Sequence, residues 1–299
     1  MNLQIVKLLA GAAFVVSGYS ASAQDRNSIG SVGLTFGGNY ISDVQTRGNK
    51  DTATVGSVEL SGDIAFPVGN NYMIGIDGKY RFDDLSSTQD FDNDEDPETQ
   101  YSFTIHALKN FSDTTRAGIF LNYGRQSSQN EPRWEDFDYA MIGVEGQTMI
   151  SDDFLLYGQV GLGDKVRDGE DDEEGFNNGM TIRTGFNYFV SERTALNMDF
   201  EFAGSNYFID GRDPGRYYGF SFGAETRLKT NAPLMINYGI SYTNIHSIGE
   251  GQGIEEFGAN IGIKYVFGAN TPLERWTNGI AIGAPRLPVR ASAWTEFID

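Results

Sequence analysis

The chain has 299 residues, with 41 acidic against 22 basic side chains and a formal charge of −19. This acidity argues against DNA or RNA binding, because the phosphate backbone would repel it. With no cysteine, disulfides, thiolate zinc sites and the lipidated cysteine of a lipoprotein are excluded.

Residues 1–23 read as a secretory signal peptide: a short head with Lys7, an apolar run over 8–16, and the small-residue site Ala21-Ser22-Ala23. A membrane helix needs about 20 apolar residues, and Lys7, Ser17 and Ser20 interrupt this run. Loss of Lys7 with the leader would take the charge to −20. No later segment approaches a transmembrane helix. If the mature chain sits in a membrane it must be a closed barrel, the other structure that satisfies its backbone hydrogen bonds in hydrocarbon.

Period-2 alternation bounded by turn residues predicts twelve strands, at 28–40, 54–66, 72–82, 101–111, 116–126, 138–150, 154–164, 179–190, 195–208, 216–228, 234–246 and 257–267. Their connections alternate in length. Short turns fall at 67–71, 112–115, 151–153, 191–194 and 229–233, and most of the others are longer and polar. Register bookkeeping pairs Phe66 with Tyr72, Ile64 with Ile74 and Leu60 with Gly78 across the first turn. It pairs Ile150 with Phe154 and Ile142 with Leu162 across the third, and Leu228 with Leu234 and Phe222 with Ile240 across the fifth; all belong to one apolar face. Phe66, Tyr72, Phe82, Tyr101, Phe111, Phe154, Tyr188, Phe208, Tyr218, Phe257 and Phe267 lie near strand ends, where interfacial aromatic girdles are expected.

The last strand contains Asn260-Ile-Gly-Ile-Lys-Tyr-Val-Phe267, the pattern polar, x, Gly, x, x, apolar, x, aromatic. With the leader and the alternating strands, this closing octapeptide resembles the bacterial outer-membrane, porin-like β-barrels. The resemblance implies an all-β, up-and-down antiparallel transmembrane barrel over 24–267, with short periplasmic turns and longer acidic extracellular loops. It implies the outer membrane of a Gram-negative bacterium as location. Lipid and lipopolysaccharide, bridged through divalent cations, become expected partners, with the barrel-assembly machinery reading residues 260–267.

The opposite parity points into the lumen. Pore-lining candidates are Glu59, Asp63, Asp77, Lys79, Arg81, Glu145, Arg183, Asp199, Glu201, Glu225, Arg227 and Lys264, joined by His106, Arg116, Gln159, Asn187 and Asn237. Register places Glu59 opposite Lys79, Glu145 opposite Gln159, and Arg183 within one diagonal of Glu201. Two readings stand: a wetted, selective pore, or a closed core of ion pairs. Excess negative charge concentrates in presumed outer loops, eight acids at 83–100 and seven at 164–174, including Asp90, Asp92, Asp94, Asp96, Asp171, Asp172, Glu173 and Glu174. These would attract cations to the mouth. The run Asp90–Asp96 lacks the sixth-position glycine and twelfth-position glutamate of a calcium loop, where Glu95 and Tyr101 stand. Diffuse cation binding rather than a metal site is therefore expected.

No motif calls for a cofactor or an enzyme. Barrel phospholipases and lipid A deacylases pair His with Ser two residues away, and omptin-like proteases place Asp two residues before His. Here His106 follows Thr104 and precedes Leu108, while His246 follows Asn244 and precedes Ile248. Residues 268–299 form a tail beyond the closing strand, with Pro272, Pro285 and Pro288 barring another membrane strand. Trp276, Trp294 and Phe297 suit docking in the barrel's periplasmic mouth or on a partner; a loosely ordered tail is the other reading. The function expected is a narrow channel for passive diffusion of small hydrophilic solutes, mildly cation-preferring. The rival is a non-conducting structural or surface-interaction barrel.

Overall fold

A computed structural model describes residues 28–43, 52–87, 98–127, 137–167, 178–209, 213–230, 232–247 and 253–285. The leader at 1–23 lies outside the described residues. Twelve strands are present: β1 (Ile29–Asp43), β2 (Thr52–Val68), β3 (Tyr72–Ser87), β4 (Glu98–Asn110), β5 (Thr115–Ser127), β6 (Phe137–Ser151), β7 (Phe154–Arg167), β8 (Gly179–Ser191), β9 (Thr194–Ile209), β10 (Asp213–Arg227), β11 (Leu234–Ser247) and β12 (Gly253–Phe267). Each pairs antiparallel with its sequence neighbours, and β1 with β12 closes the barrel. No edge strand remains to be satisfied by water.

Alternation decides the faces. Outward positions carry Phe103, Ile105, Ile119, Leu121, Val160 and Phe220, all exposed, whereas inward neighbours such as Thr104, His106, Asn122 and Gln159 are buried. Of the predicted girdle residues, Tyr72, Phe111 and Tyr188 are exposed at the short-turn end, and Tyr101, Tyr218 and Phe257 at the other. Phe66, Phe82, Phe154 and Phe267 are half-buried, and the side chain of Phe208 lies outside the described residues.

The ladders match the expected pairs Ile142 with Leu162, Glu145 with Gln159, and Phe222 with Ile240. Across the first turn the register differs by two. Phe66 faces Ile74, Ile64 faces Ile76, Leu60 faces Tyr80 and Glu59 faces Arg81, while Lys79 faces Ser61. The cause is that β2 continues through Pro67 to Val68, which pairs with Tyr72, so the turn is tighter and centred one residue later. Gly69 makes it possible, its φ of 64° lying in the left-handed region that glycine adopts without penalty. A shift of two preserves every face. Across the third turn, Ser151 rather than Ile150 pairs with Phe154, because the ladder slips between Met149 and Ser151 and leaves Ile150 out.

The interior is uneven. On the β4–β7 side, Phe120, Tyr139, Met141 and Tyr157 point inward and are buried. They fit because glycines stand beside them: a Cβ at Gly143 would meet the Phe120 ring, one at Gly124 the Tyr139 ring, and one at Gly185 the Tyr157 hydroxyl at 2.6 Å. The opposite wall, from β9 through β12 to β2, is lined by small residues such as Gly37, Ser61, Ser221, Gly223, Ser241 and Gly239. Space in the lumen therefore lies off-centre, against that wall.

Candidate functional site

The chain does not stop at the closing strand. Gly268, at φ 73°, turns it back toward the lumen, where a side chain would strike the Ser28 backbone. A seven-residue helix, α1 (Pro272–Asn278), follows; proline occupies its first turn, and the Thr271 hydroxyl accepts the Glu274 N–H at 3.1 Å. The Glu274 carboxylate reaches back to the Asn270 N–H at 2.6 Å. Residues 279–285 then run up inside the barrel.

This segment touches the wall around most of its circumference. Ile280 packs on Ala65, Met73 and Leu108. Ala281 and Ile282, with Leu273 and Trp276, pack on Leu155, Tyr157, Phe189 and Ala195. Ala269 packs on Met235 and Val266. The segment's backbone groups are met by lumenal side chains: Arg116 donates to the Gly279 carbonyl at 2.9 Å, Gln147 accepts from the Ala281 N–H at 2.9 Å, and Arg183 donates to the Ala284 carbonyl at 3.2 Å. Arg227 donates to the Asn270 carbonyl at the rim. Of the two sequence readings of the tail, docking in the barrel mouth describes residues 268–285 and Trp276, while Trp294 and Phe297 lie outside the described residues.

Three clusters of lumenal charges stand out, beside the pair Arg81–Asp83 at 2.8 Å. His106, fully buried, lies between Asp77 (Nε2 to Oδ2, 2.6 Å) and Glu145 (Nδ1 to Oε1, 2.8 Å). Gln159 donates to Glu145 at 3.3 Å, and the Ala284 N–H donates to Asp77 at 3.1 Å. Arg183 bridges Asp199 at 2.8 Å and Glu201 at 3.3 Å, directly across the β8–β9 ladder from Glu201. Tyr157 and Tyr217 donate to the same two carboxylates.

The third cluster centres on Arg275 of α1, buried in the lumen. Its Nη2 reaches Asp63 at 2.8 Å and the Ser31 hydroxyl at 3.1 Å, its Nη1 reaches Glu225 at 3.4 Å, and its guanidinium lies 4.3 Å over the Trp276 ring. Lys264 approaches Glu225 at 3.6 Å. Burial alone would lower the Arg275 pKa, but Asp63 and Glu225 outweigh it and hold it above the ordinary value. Asp63 stands directly opposite Asp77 in the β2–β3 ladder, a like-charge pair that costs stability unless compensated. Arg275 supplies a compensating charge on Asp63, and the His106 ring a hydrogen bond to Asp77.

All twelve pore-lining candidates occupy inward positions, but not one continuous pore. Glu145 sits in the packed half. Arg227 sits at the short-turn rim. Glu59, Asp63, Asp77, Lys79, Arg81, Arg183, Asp199, Glu201, Glu225 and Lys264 border a cavity of about 400 Å³ whose floor is Arg275, Trp276 and residues 280–284. The lumen thus has a packed, largely aromatic half that contains Glu145 and a cavity whose wall carries the ion pairs of Arg183 and Arg275. The eight loop acids, Asp90, Asp92, Asp94, Asp96, Asp171, Asp172, Glu173 and Glu174, lie outside the described residues. Arg275 and Ser31 were missed by parity reasoning, the first because it is not on a strand. Its signal was local: Thr271-Pro-Leu-Glu274 is a capping pattern that announces a helix start.

No protein-family model matches the sequence, and no curated protein sequence does. Among solved structures, an outer-membrane channel from Pseudomonas putida F1 is similar at TM-score 0.57 and 11% identity, over 82% of this chain and 98% of that one. The P. putida toluene transporter TodX aligns at TM-score 0.47 and 8% identity, over 81% and 90%, and the KdgM porin at TM-score 0.42 and 9%, over 77% and 99%. The first likeness carries the fold alone, a closed antiparallel barrel, which in this chain has twelve strands.

Proposed function

We propose that the protein is an outer-membrane channel for small hydrophilic solutes, mildly cation-preferring, which its own C-terminal segment holds closed at the periplasmic end. The observation that carries this is the segment 268–285 lying inside a barrel that keeps a charged cavity above it. A barrel with no transport role has no use for a water-accessible cavity bordered by twelve charged side chains, eleven of them drawn from six of its strands. The membrane location is supported by the lipid-compatible outer face, with exposed Ile, Leu, Val and Phe on consecutive outward positions. The short-turn end is assigned to the periplasm because bacterial barrels keep their short turns there. Acids outnumber strong bases on the cavity wall, seven (Glu59, Asp63, Asp77, Asp199, Glu201, Glu225, Glu256) to five (Lys79, Arg81, Arg183, Lys264, Arg275), which favours cations. The acidic loops would add to this at the mouth and would bind lipopolysaccharide through divalent ions. Assembly would use the barrel-assembly machinery, with residues 260–267 as its signal. No catalytic role is proposed: His106 is spent on two carboxylates within the wall.

Planar bilayers test the reading. The full chain should be silent or open rarely, whereas a chain ended at Phe267 should conduct steadily and prefer K⁺ to Cl⁻. That preference should fade toward 1 M salt, where the screening length falls to about 3 Å. Silence from the shortened chain, correctly folded, would transfer the protein to the non-conducting structural reading, which the packed β4–β7 half of the lumen favours.

A further inference from the structure

We propose that Ser31, Asp63 and Glu225 form a guanidinium-binding site in the lumen, that Arg275 occupies it as an internal ligand, and that solutes bearing a guanidinium group exchange with it. This rests on the channel reading and deepens it by naming the solute class. The three residues come from β1, β2 and β10, and they present oxygens to two different nitrogens of one planar cation: Asp63 and Ser31 to Nη2, Glu225 to Nη1. A fork of donors with fixed geometry is what a guanidinium offers and a single ammonium does not.

Two observations separate this from an ordinary structural ion pair. The first is that the wall is charged as though a cation were always to be present. Asp63 faces Asp77 directly across the ladder, and Glu225, 1% exposed, keeps Oε1 without a hydrogen-bond partner although it borders the cavity. When the segment withdraws, Lys264 remains on Glu225 at 3.6 Å, while Asp63 keeps the Ser31 hydroxyl but no cation. Its charge then faces Asp77 across the ladder uncompensated, which favours a cation in the place of Arg275. The second is position. Asp63, Glu225 and Arg275 all border the cavity, so a solute entering from the loop end arrives beside the group whose place it would take. Closure and solute binding then compete for the same oxygens, and a solute that wins the site weakens the hold of the segment on the wall.

The test uses the full chain carrying Arg275→Ala, with folding followed by heat-modifiable migration on gels. Methylguanidinium, added at constant ionic strength, should raise the unfolding midpoint with the logarithm of its concentration once the site begins to fill. Methylammonium and K⁺ should do so at least tenfold less effectively, and Asp63→Asn with Glu225→Gln in the same chain should abolish the effect. If Arg275→Ala does not fold alone, its refolding with methylguanidinium but not methylammonium supports the site, and failure with either cation opposes it. Equal effects of the two cations, or an effect that survives loss of both carboxylates, would overturn the proposal. Because this readout requires no conduction, guanidinium binding together with silence of the folded chain ended at Phe267 would sink the channel reading alone. Conduction without guanidinium-selective binding would sink this inference alone.

Discussion

Single glycines decide where the lumen is full and where it is hollow. Phe120 has no accessible surface because Gly143 and Gly161 leave room for its ring, its Cζ lying 2.5 Å and 2.8 Å from where their Cβ atoms would be. Gly161→Ala, whose methyl would meet the Phe120 ring first, should therefore overpack the interior and cost about 1–3 kcal/mol. Gly56→Ala, on the same barrel but with nothing within 4 Å of the new methyl, should be neutral or slightly stabilising, since glycine in a strand interior costs about 0.5–1 kcal/mol relative to alanine. Urea midpoints of the two variants check this, and equal midpoints would contradict the ring-on-glycine packing. The abundance of glycine, 37 residues, is visible in the sequence. Which glycine serves which ring is not, because alternation assigns a face and leaves open which residues of neighbouring strands share a row.

At the scale of the strand, faces were legible and rows only in part. Each of the twelve expected strands is present, and parity placed every charged candidate inward, because one buried or lipid-facing side forces the period of two on each strand. The row assignments held across the fifth turn, as for Phe222 with Ile240, and away from the turn in β6–β7, as for Glu145 with Gln159. They shifted by two where β2 ran on through Pro67, and failed locally where the ladder slips at Ile150. Neighbouring residues on β11 give a sharp test of parity. Ile240 is 59% exposed on the outer face, whereas the Ser241 hydroxyl lies beside Gly258 with the buried Asn39 side chain. Ile240→Arg should destabilise the barrel in lipid by about 2–4 kcal/mol near mid-membrane, while Ser241→Arg, in a wetted lumen, should leave folding nearly intact. Folding yields into liposomes measure both. A reversed order would show the faces exchanged.

For the whole molecule, the defining feature is a barrel whose lumen holds its own C-terminal segment. The strand pattern ends at Phe267 and carries no information on the residues beyond it. Prolines and three aromatics in the tail marked it as something other than a strand, without indicating that Arg275 would settle between carboxylates from β2 and β10. That pairing joins residues about 50 and 212 positions apart in sequence, which only the closed barrel brings together. The central claim, that this segment lies inside the lumen, can be tested without any assay of transport. The chain has no cysteine, so two can be added freely at Gly75 and Ile280. A Cβ at Gly75 would lie 3.0 Å from Ile280 Cγ1, one bond from the Ile280 Cβ, which is within disulfide reach. The folded full chain carrying Gly75→Cys and Ile280→Cys should form this bond nearly completely under mild oxidant, seen as altered migration that reductant reverses. Two free thiols, both labelled by a bulky reagent added from outside the barrel, would contradict the account.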